Sequence, residues 1–320
     1  MTRLLRGSEV RDALMPKLAE RATALRDAGI SPCLASFRVG DREDDVAYER
    51  AIARAAEGIG VETRRIIVPA HTGQTEALAE ITRLNEDASV HGVVIFRPLP
   101  LSMNEAEICA NLVAEKDADG VTPKSMAGLY AGTLEGSRGN RQDGVFAPCT
   151  AEAIVAILDH FGIEIEGKRV AVIGRSAVIG KPVSLLLLAR NATVTICHRK
   201  TESLARVASE SEILVAAAGL KDDPGFGRDF FSAGQTVIDA GIRIAGDGRV
   251  CGDVNADEAV GTVAALTPVP GGVGSVTVLK LLEHVLIAAE RRRCEFASQT
   301  SLGAESNGAN ICTRAEDSRR

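Results

Sequence analysis

Residues 168–182 read KRVAVIGRSAVIGKP. An apolar, β-branched run stops at Gly174, and Pro182 stands near the start of the leucine-rich helical pattern that follows, where a missing N–H costs least. Strand, glycine loop and helix in that order form a unit whose backbone N–H groups and helix N-terminus can hold a pyrophosphate. The spacing of Gly174, Ser176 and Gly180 departs from GxGxxG, so the string alone is weak and the strand-loop-helix setting carries the reading. The next strand, ATVTICH (192–198), runs into His198, Arg199 and Lys200. An NAD site places Asp or Glu there for the ribose 2′-hydroxyl, whereas these bases, with Arg175, suit a 2′-phosphate through charge-assisted contacts. Read in isolation, Arg199 and Lys200 are a solvated turn. The expected cofactor is therefore NADP rather than NAD, held by Gly174, Arg175, Ser176, Gly180, Pro182, His198, Arg199 and Lys200.

Around this unit the chain alternates strand-like and helix-period segments, which implies an α/β fold with a mostly parallel sheet covered on both faces. On the C-terminal side follow EILVAAAG (212–219), QTVIDAGI (235–242) and a short strand near VAALTP (263–268), and then the amphipathic pattern SVTVLKLLEHVLIAAERR. On the N-terminal side PCLASFRV (32–39), ETRRIIVP (62–69) and VHGVVIF (90–96) alternate with helical patterns, the first of which contains Pro16 and suggests a kink or a late start. EGSRGNRQDGV (135–145) has the polar, glycine-rich composition of an exposed linker. The expected division is a first domain over 1–145, a dinucleotide domain over 146–274, a helix over 275–293 that returns to the first domain, and a disordered polar tail over 294–320.

Composition narrows the function classes. A net charge of −6 with interspersed signs lacks the basic stripe that nucleic-acid binding requires, so no polynucleotide partner is expected. No apolar run approaches the ~18 residues that cross a membrane, and no membrane partner is expected. Arg3 and Arg6 precede an acid-bearing amphipathic helix rather than an apolar secretion core, which points to a cytoplasmic protein. The 7 cysteines are scattered, without a CxxC pair or histidines at metal-ligand spacing, and read as reduced thiols with no metal site.

KDADG (116–120), PCTA (148–151), VIGRSAVIGKP (172–182), CHRKT (197–201), VIDAGI (237–242), GDV (252–254) and TPVPGGVGSVT (267–277) resemble, in order and spacing, the bifunctional methylenetetrahydrofolate dehydrogenase/methenyltetrahydrofolate cyclohydrolase family (FolD type). The resemblance covers about residues 3–292 and implies an N-terminal three-layer folate-binding domain, a C-terminal Rossmann-type NADP domain and a homodimer. It also implies a hydride transfer from 5,10-methylenetetrahydrofolate to NADP, followed by hydrolysis of the methenyl cation. By the same match Tyr48 and Asp119 are the expected catalytic residues, Pro270, Gly271 and Gly272 approach the substrate, and Gly241, Ile242 and Thr277 join the cofactor site. A carboxylate at Asp119 is the right group to accept from a pterin's amino and ring N–H donors. Read without the resemblance, Asp119 is a turn residue before Gly120.

Two positions depart from the family. Its tyrosine helix reads Tyr-x-x-x-Lys and its third strand Val-Gln-Leu-Pro-Leu-Pro; here Ile52 stands at the lysine and Phe96 at the glutamine. Taken alone, Tyr48 and Ile52 in VAYERAIARA (46–55) are an apolar pair on one helix face, the usual pattern of core. Arg50 and Arg54 are expected to point away from that face, and Arg97 to start toward the opposite side of its strand from Phe96. Asp45, three residues before Tyr48, shares its face and brings a carboxylate. Asp45, Ile52 and Phe96 are thus expected around the substrate, and the spacing Ser125 to Gly128 departs slightly from the family's Asn-x-Gly. Hydride transfer needs mainly proximity and orientation, whereas hydrolysis needs a positioned proton-moving group, worth roughly 100- to 10,000-fold. The expectation is a dehydrogenase with weak or absent cyclohydrolase activity. The alternatives are a diverged oxidoreductase acting on another imine or pterin-like substrate, and a non-catalytic folate or NADP binder, which the intact cofactor segments argue against.

Overall fold

Alternate side chains of the strands in the first half of the chain pack into two different layers. In chain order it holds β1 (Arg3–Leu4), α1 (Gly7–Asp27), β2 (Cys33–Val39), α2 (Glu43–Ile59), β3 (Glu62–Val68), α3 (Gln74–Glu86), β4 (Gly92–Ile95), α4 (Glu105–Asn111) and α5 (Pro123–Ala131). Leu34 of β2, Val94 of β4 and the following Phe96 face one side, where Leu18, Ile52, Ala56 and Leu282 meet them. Ala35, Phe37, Val93 and Ile95 face the other, against Ala77, Ile81 and Ile108. This is the alternation expected of strands covered on both faces, and it makes a three-stranded parallel sheet of order β3-β2-β4. The helices carry their own end signals. α2 opens with Glu43, Asp44 and Asp45 in its first turn, where the helix dipole favours anions, and closes on Gly60 in the left-handed region. α5 is capped by the Thr122 side chain, which accepts from the Ser125 N–H, with Pro123 in first position.

The computed structural model describes residues 1–133, 145–220, 225–244 and 249–312, with the backbone alone beyond 294. The expected linker therefore lies outside the described residues except for Val145. The second half comprises α6 (Cys149–His160), β5 (Arg169–Ile173), α7 (Gly180–Ala189), β6 (Thr193–Cys197), α8 (Leu204–Ser209), β7 (Ile213–Ala216), β8 (Thr236–Asp239), β9 (Arg243–Ile244), β10 (Val250–Cys251), α9 (Ala256–Ala259), β11 (Ala265–Leu266) and α10 (Gly274–Cys312). Its sheet is parallel, of order β1-β11-β8-β7-β5-β6. β6 lies to one side of β5 and β7 to the other, so the sheet reverses its order of growth at the C-terminal ends of β5 and β7, the place where open α/β sheets take ligands.

Three features bear on these expectations. Residues Arg3 and Leu4, placed by sequence in the first domain, pair with Ala265 and Leu266 at the edge of the second sheet. Two residues are too few to show periodicity, and their partner is remote in sequence. Pro16 does not delay α1, which begins at Gly7. The last helix is assigned as far as Cys312, over part of the stretch expected to form a polar tail. Residues 313–320 lie outside the described residues. Over its first part α10 buries Leu279, Leu282, Val285 and Leu286 against α1 and α2.

Candidate active site

Between the two sheets lies a cleft of about 1040 Å³. One wall is α2, which presents Tyr48, Ala51 and Ala55, together with Asp119 from the turn that precedes α5. The opposite wall brings Ile179 from the glycine loop and Asp239, Gly241 and Ile242 from the end of β8; Pro270, Gly271, Gly272 and Thr277 close the base. Arg11, Asp12 and Arg54 stand exposed at its mouth. Tyr48 is half-buried; burial first, and the Asp119 charge next, push its hydroxyl well above the ordinary value, so it stays a neutral donor.

Asp119 is set by its neighbour. Gly120 has φ +66°, and a side chain there would run into the Ala147 carbonyl and the Pro148 nitrogen, so the turn holding Asp119 is pressed against the start of α6. Burial pushes the Asp119 carboxyl up, opposed by Arg97, whose Nη2 lies 3.5 Å from Oδ2, and by a hydrogen bond from the Cys149 thiol. Arg97 is therefore not turned away: β4 ends at Ile95, strand alternation no longer governs residue 97, and the guanidinium bridges Asp119 and, at 4.0 Å, Glu105. Asp117 anchors the same turn, accepting from the N–H groups of Val121 (3.0 Å) and Thr122 (2.7 Å) and from the Ser125 hydroxyl (2.6 Å).

The residues expected around the substrate divide. Ile52 and Phe96, 2% and 5% exposed, do not line the cleft but pack behind Tyr48 in the apolar layer shared with α10. Asp45 also lies off the cleft: its helix face turns to β2, where Glu49 takes the Ser36 hydroxyl (2.7 Å) and Asp45 sits 3.6 Å from Arg42. Tyr48 shares the cleft instead with residues three and seven positions on, and the helix rotation that achieves this brings Arg54 to the rim rather than away.

At the sheet's switch point the glycine loop is tightly constrained. A side chain at Gly174 (φ +139°) would meet the Ala217 carbonyl, and one at Gly180 would meet the carbonyl of Gly174. The Ser176 hydroxyl accepts from the N–H groups of Ile179 (3.1 Å) and Gly180 (3.4 Å), and Pro182 is buried two residues into α7. Gly174 N–H donates to Cys197 O at 2.9 Å, so His198, Arg199 and Lys200 emerge directly beside the loop. Arg175, Arg199 and Lys200 are exposed and, among the described residues, pair with no carboxylate. The His198 ring accepts from the Lys200 N–H at 3.2 Å, which shapes the turn. A backbone cradle without room for Cβ atoms, flanked by uncommitted cations, fits a phosphorylated dinucleotide.

Sequence reasoning passed over Asp239 and a buried cluster under Asp119. Asp239 accepts from Gly241 (2.9 Å), Asp253 (2.9 Å) and Val254 (3.0 Å) and so holds the loop carrying Gly241 and Ile242; burial pushes its carboxyl up to about 6 against these donors. The Asp that ends the apolar run VID, two residues before Gly241, was its only sequence mark. In the cluster, His284 of α10 lies 2.7 Å from the Ala118 carbonyl through Nδ1 and 3.0 Å from Glu152 through Nε2.

A parallel sheet with a glycine loop at its switch point, facing a second α/β unit across a cleft, is the plan of a two-domain dinucleotide-binding protein. Residues 5–119 match the tetrahydrofolate dehydrogenase/cyclohydrolase catalytic domain and residues 148–293 the NAD(P)-binding domain of the same family. The chain belongs to the tetrahydrofolate dehydrogenase/cyclohydrolase family. It is 41% identical to bifunctional protein FolD 1 of Desulfitobacterium hafniense over 91% of this chain and 99% of that one. The crystal structure of the bifunctional FolD of Campylobacter jejuni superposes with a TM-score of 0.85 at 33% identity, covering 91% of this chain and 100% of that chain. The Trypanosoma brucei FolD, solved with NADP cofactor and an inhibitor, gives 0.83 at 34% identity over 91% and 98%.

Proposed function

We propose that the protein is an NADP-dependent methylenetetrahydrofolate dehydrogenase of one-carbon metabolism with weak or absent cyclohydrolase activity. The observation that carries this reading is that Tyr48 and Asp119 from one domain, Gly241 and Ile242 from the other and Thr277 of α10 line a single cleft. NADP, when bound, supplies the hydride acceptor. The chain's own residues do the rest: the loop of Gly174 to Gly180 and the bases Arg175, Arg199 and Lys200 hold and select the dinucleotide, and Asp119 accepts from the pterin's N–H donors. Tyr48 packs against the one-carbon region and keeps its proton. Orienting the bridge carbon against the nicotinamide is the main demand of hydride transfer, and this cleft meets it without a base.

Hydrolysis of the methenyl cation is different, because water must be activated and a proton moved. The positions matched to the family's lysine and glutamine hold Ile52 and Phe96, both sealed in apolar packing, and Asp45 is turned to Arg42. A paired assay tests the split: NADPH formation from 5,10-methylenetetrahydrofolate, and decay of methenyltetrahydrofolate absorbance above its uncatalysed rate. Dehydrogenase with cyclohydrolase equal to that of its relatives refutes it, and silence in the first assay with both NADP and NAD favours a diverged imine or pterin-like substrate.

We also place the protein in the cytoplasm as a homodimer. Cysteines that, among the described residues, are mostly buried and form no disulfide suit a reducing compartment, and β3, an edge strand exposing Ile67 at 48%, offers a surface for a second copy. Light scattering on the purified protein checks the second point. Among the described residues no helix is long and apolar enough to cross a membrane, and no group of three or more His, Cys, Asp or Glu is arranged for a metal.

A further inference from the structure

Beneath Asp119, away from the cleft, lies a set of ionisable side chains that the reaction as described does not use. The His284 ring is 2% exposed and stacked on Phe146, with ring centroids 4.2 Å apart. Its two nitrogens have different partners: the Ala118 carbonyl at 2.7 Å on Nδ1 and the Glu152 carboxylate at 3.0 Å on Nε2. Both partners accept, so both nitrogens must donate, which only the imidazolium does. Lys280, one turn earlier on α10, reaches the same Glu152 oxygen at 3.2 Å and Glu283 at 2.5 Å. The Cys149 thiol, wholly buried, lies 3.7 Å from Nδ1 and donates to the Ala118 carbonyl at 3.2 Å.

Ala118 is the residue before Asp119. Its carbonyl is thus gripped from below by His284 and Cys149, while Arg97 approaches the adjoining Asp119 carboxylate from the β4 side. A charged imidazole is costly to bury, and the Glu152 carboxylate at 3.0 Å offsets part of that cost. We propose that His284 is a positioning residue for Asp119: held by Glu152, it fixes the Ala118 carbonyl and the Cys149 thiol, and through them sets the carboxylate that receives the substrate. The inference rests on the reading of Asp119 as a folate-binding group.

The charged groups that face His284 are Glu152 and, by way of the thiol, Asp119 on one side, and Lys280 on its own helix; Arg291 lies over the far side of Phe146 at 4.9 Å. The imidazolium favours the anion of Asp119, so its removal must shift the Asp119 titration upward.

Two variants of the full chain test this. Asn keeps an amide donor near the place of Nδ1, and Gln keeps one near Nε2. H284Q loses the tether to Ala118 and is expected to raise KM for 5,10-methylenetetrahydrofolate about tenfold, with kcat and the NADP KM within about twofold. H284N is expected to recover at least half of that loss on the logarithmic scale. In both, carbon-13 NMR of the Asp119 carboxyl should show titration at higher pH than in the wild type. An unmoved titration with an unmoved folate KM overturns the proposal, as does a parallel fall in kcat and in affinity for both ligands, which marks scaffold damage. If the wild type does not turn over 5,10-methylenetetrahydrofolate, it is the functional reading that fails, and the Asp119 titration alone then decides the inference: shifted up in both variants it stands, unmoved it falls.

Discussion

The ring of Phe96 stands edge-on to that of Tyr48, with centroids 5.8 Å apart and planes at 67°. Such a pair is worth about 0.5–1.5 kcal/mol beyond its buried area. It supports the tyrosine by packing at a position that the family resemblance matches to a glutamine. Behind it Ile52 completes an apolar backing, so the Tyr48 hydroxyl is offered to the cleft without a polar neighbour on its own helix face.

Restoring the polar pair should bring back water chemistry at a cost in stability. The double variant Ile52→Lys, Phe96→Gln is expected to raise the catalysed decay of methenyltetrahydrofolate at least about tenfold. Unfolding free energy should fall by about 2–4 kcal/mol, since a large apolar side chain is lost and a cation enters a buried layer. Absorbance decay and urea titration read the two effects; stability loss with no gain in hydrolysis would mean that the missing base lies elsewhere.

Cofactor choice should respond to the bases after β6. Arg199→Ala is expected to raise the NADP KM about tenfold, the loss of one charge-assisted contact, and to leave the NAD KM within about twofold. Equal effects on both dinucleotides would return Arg199 to the status of a solvated turn.

Arg97→Leu removes the cation 3.5 Å from Asp119. Burial raises that carboxyl and Arg97 opposes it, so without Arg97 the titration moves further up. The folate KM should then begin its rise at a higher pH as the solution is acidified, while the NADP KM keeps its profile. Profiles of the two constants from pH ~5 to ~8 are the measurement, and coincident curves for wild type and variant would remove Arg97 from the site.

Glu152 should contribute to acid stability. Burial alone would raise its carboxyl, but the His284 and Lys280 charges outweigh it and hold the group well below the usual carboxylate range. A depressed carboxyl stabilises the fold above its unfolded value and loses that contribution as pH falls below the ordinary 4.5 toward the folded one. Glu152→Gln should cost on the order of 3 kcal/mol at pH ~7 and flatten the acid limb. Urea midpoints across that range decide it; a parallel limb in the variant would assign acid sensitivity to other groups.

Legibility followed the range of the forces involved. Strands β2 to β8 and helices α2, α3 and α7 were readable because periodicity and caps act within a few residues. The glycine loop was readable for the same reason, and the bases after β6 because side chain follows strand end directly. The pairing of Arg3 and Leu4 with β11 was not, being a contact between segments remote in sequence. Helical spacing placed Tyr48 and Ile52 together, and they do share one apolar layer; it could not say that the cleft takes only the flank bearing Tyr48, Ala51 and Ala55, which depends on how α2 is rotated over β2. Arg97 and the His284 cluster were hidden because each joins elements that meet only after folding.

The excursion of the first residues into the far sheet has a bearing on assembly. The chain begins in one domain's sheet, builds the other domain, returns, and finally sends α10 back across. A cut in the connection around residue 140 would therefore leave each fragment holding a piece of its neighbour's core. The two halves are interlocked parts, and neither is an autonomous module to be exchanged or expressed without its counterpart.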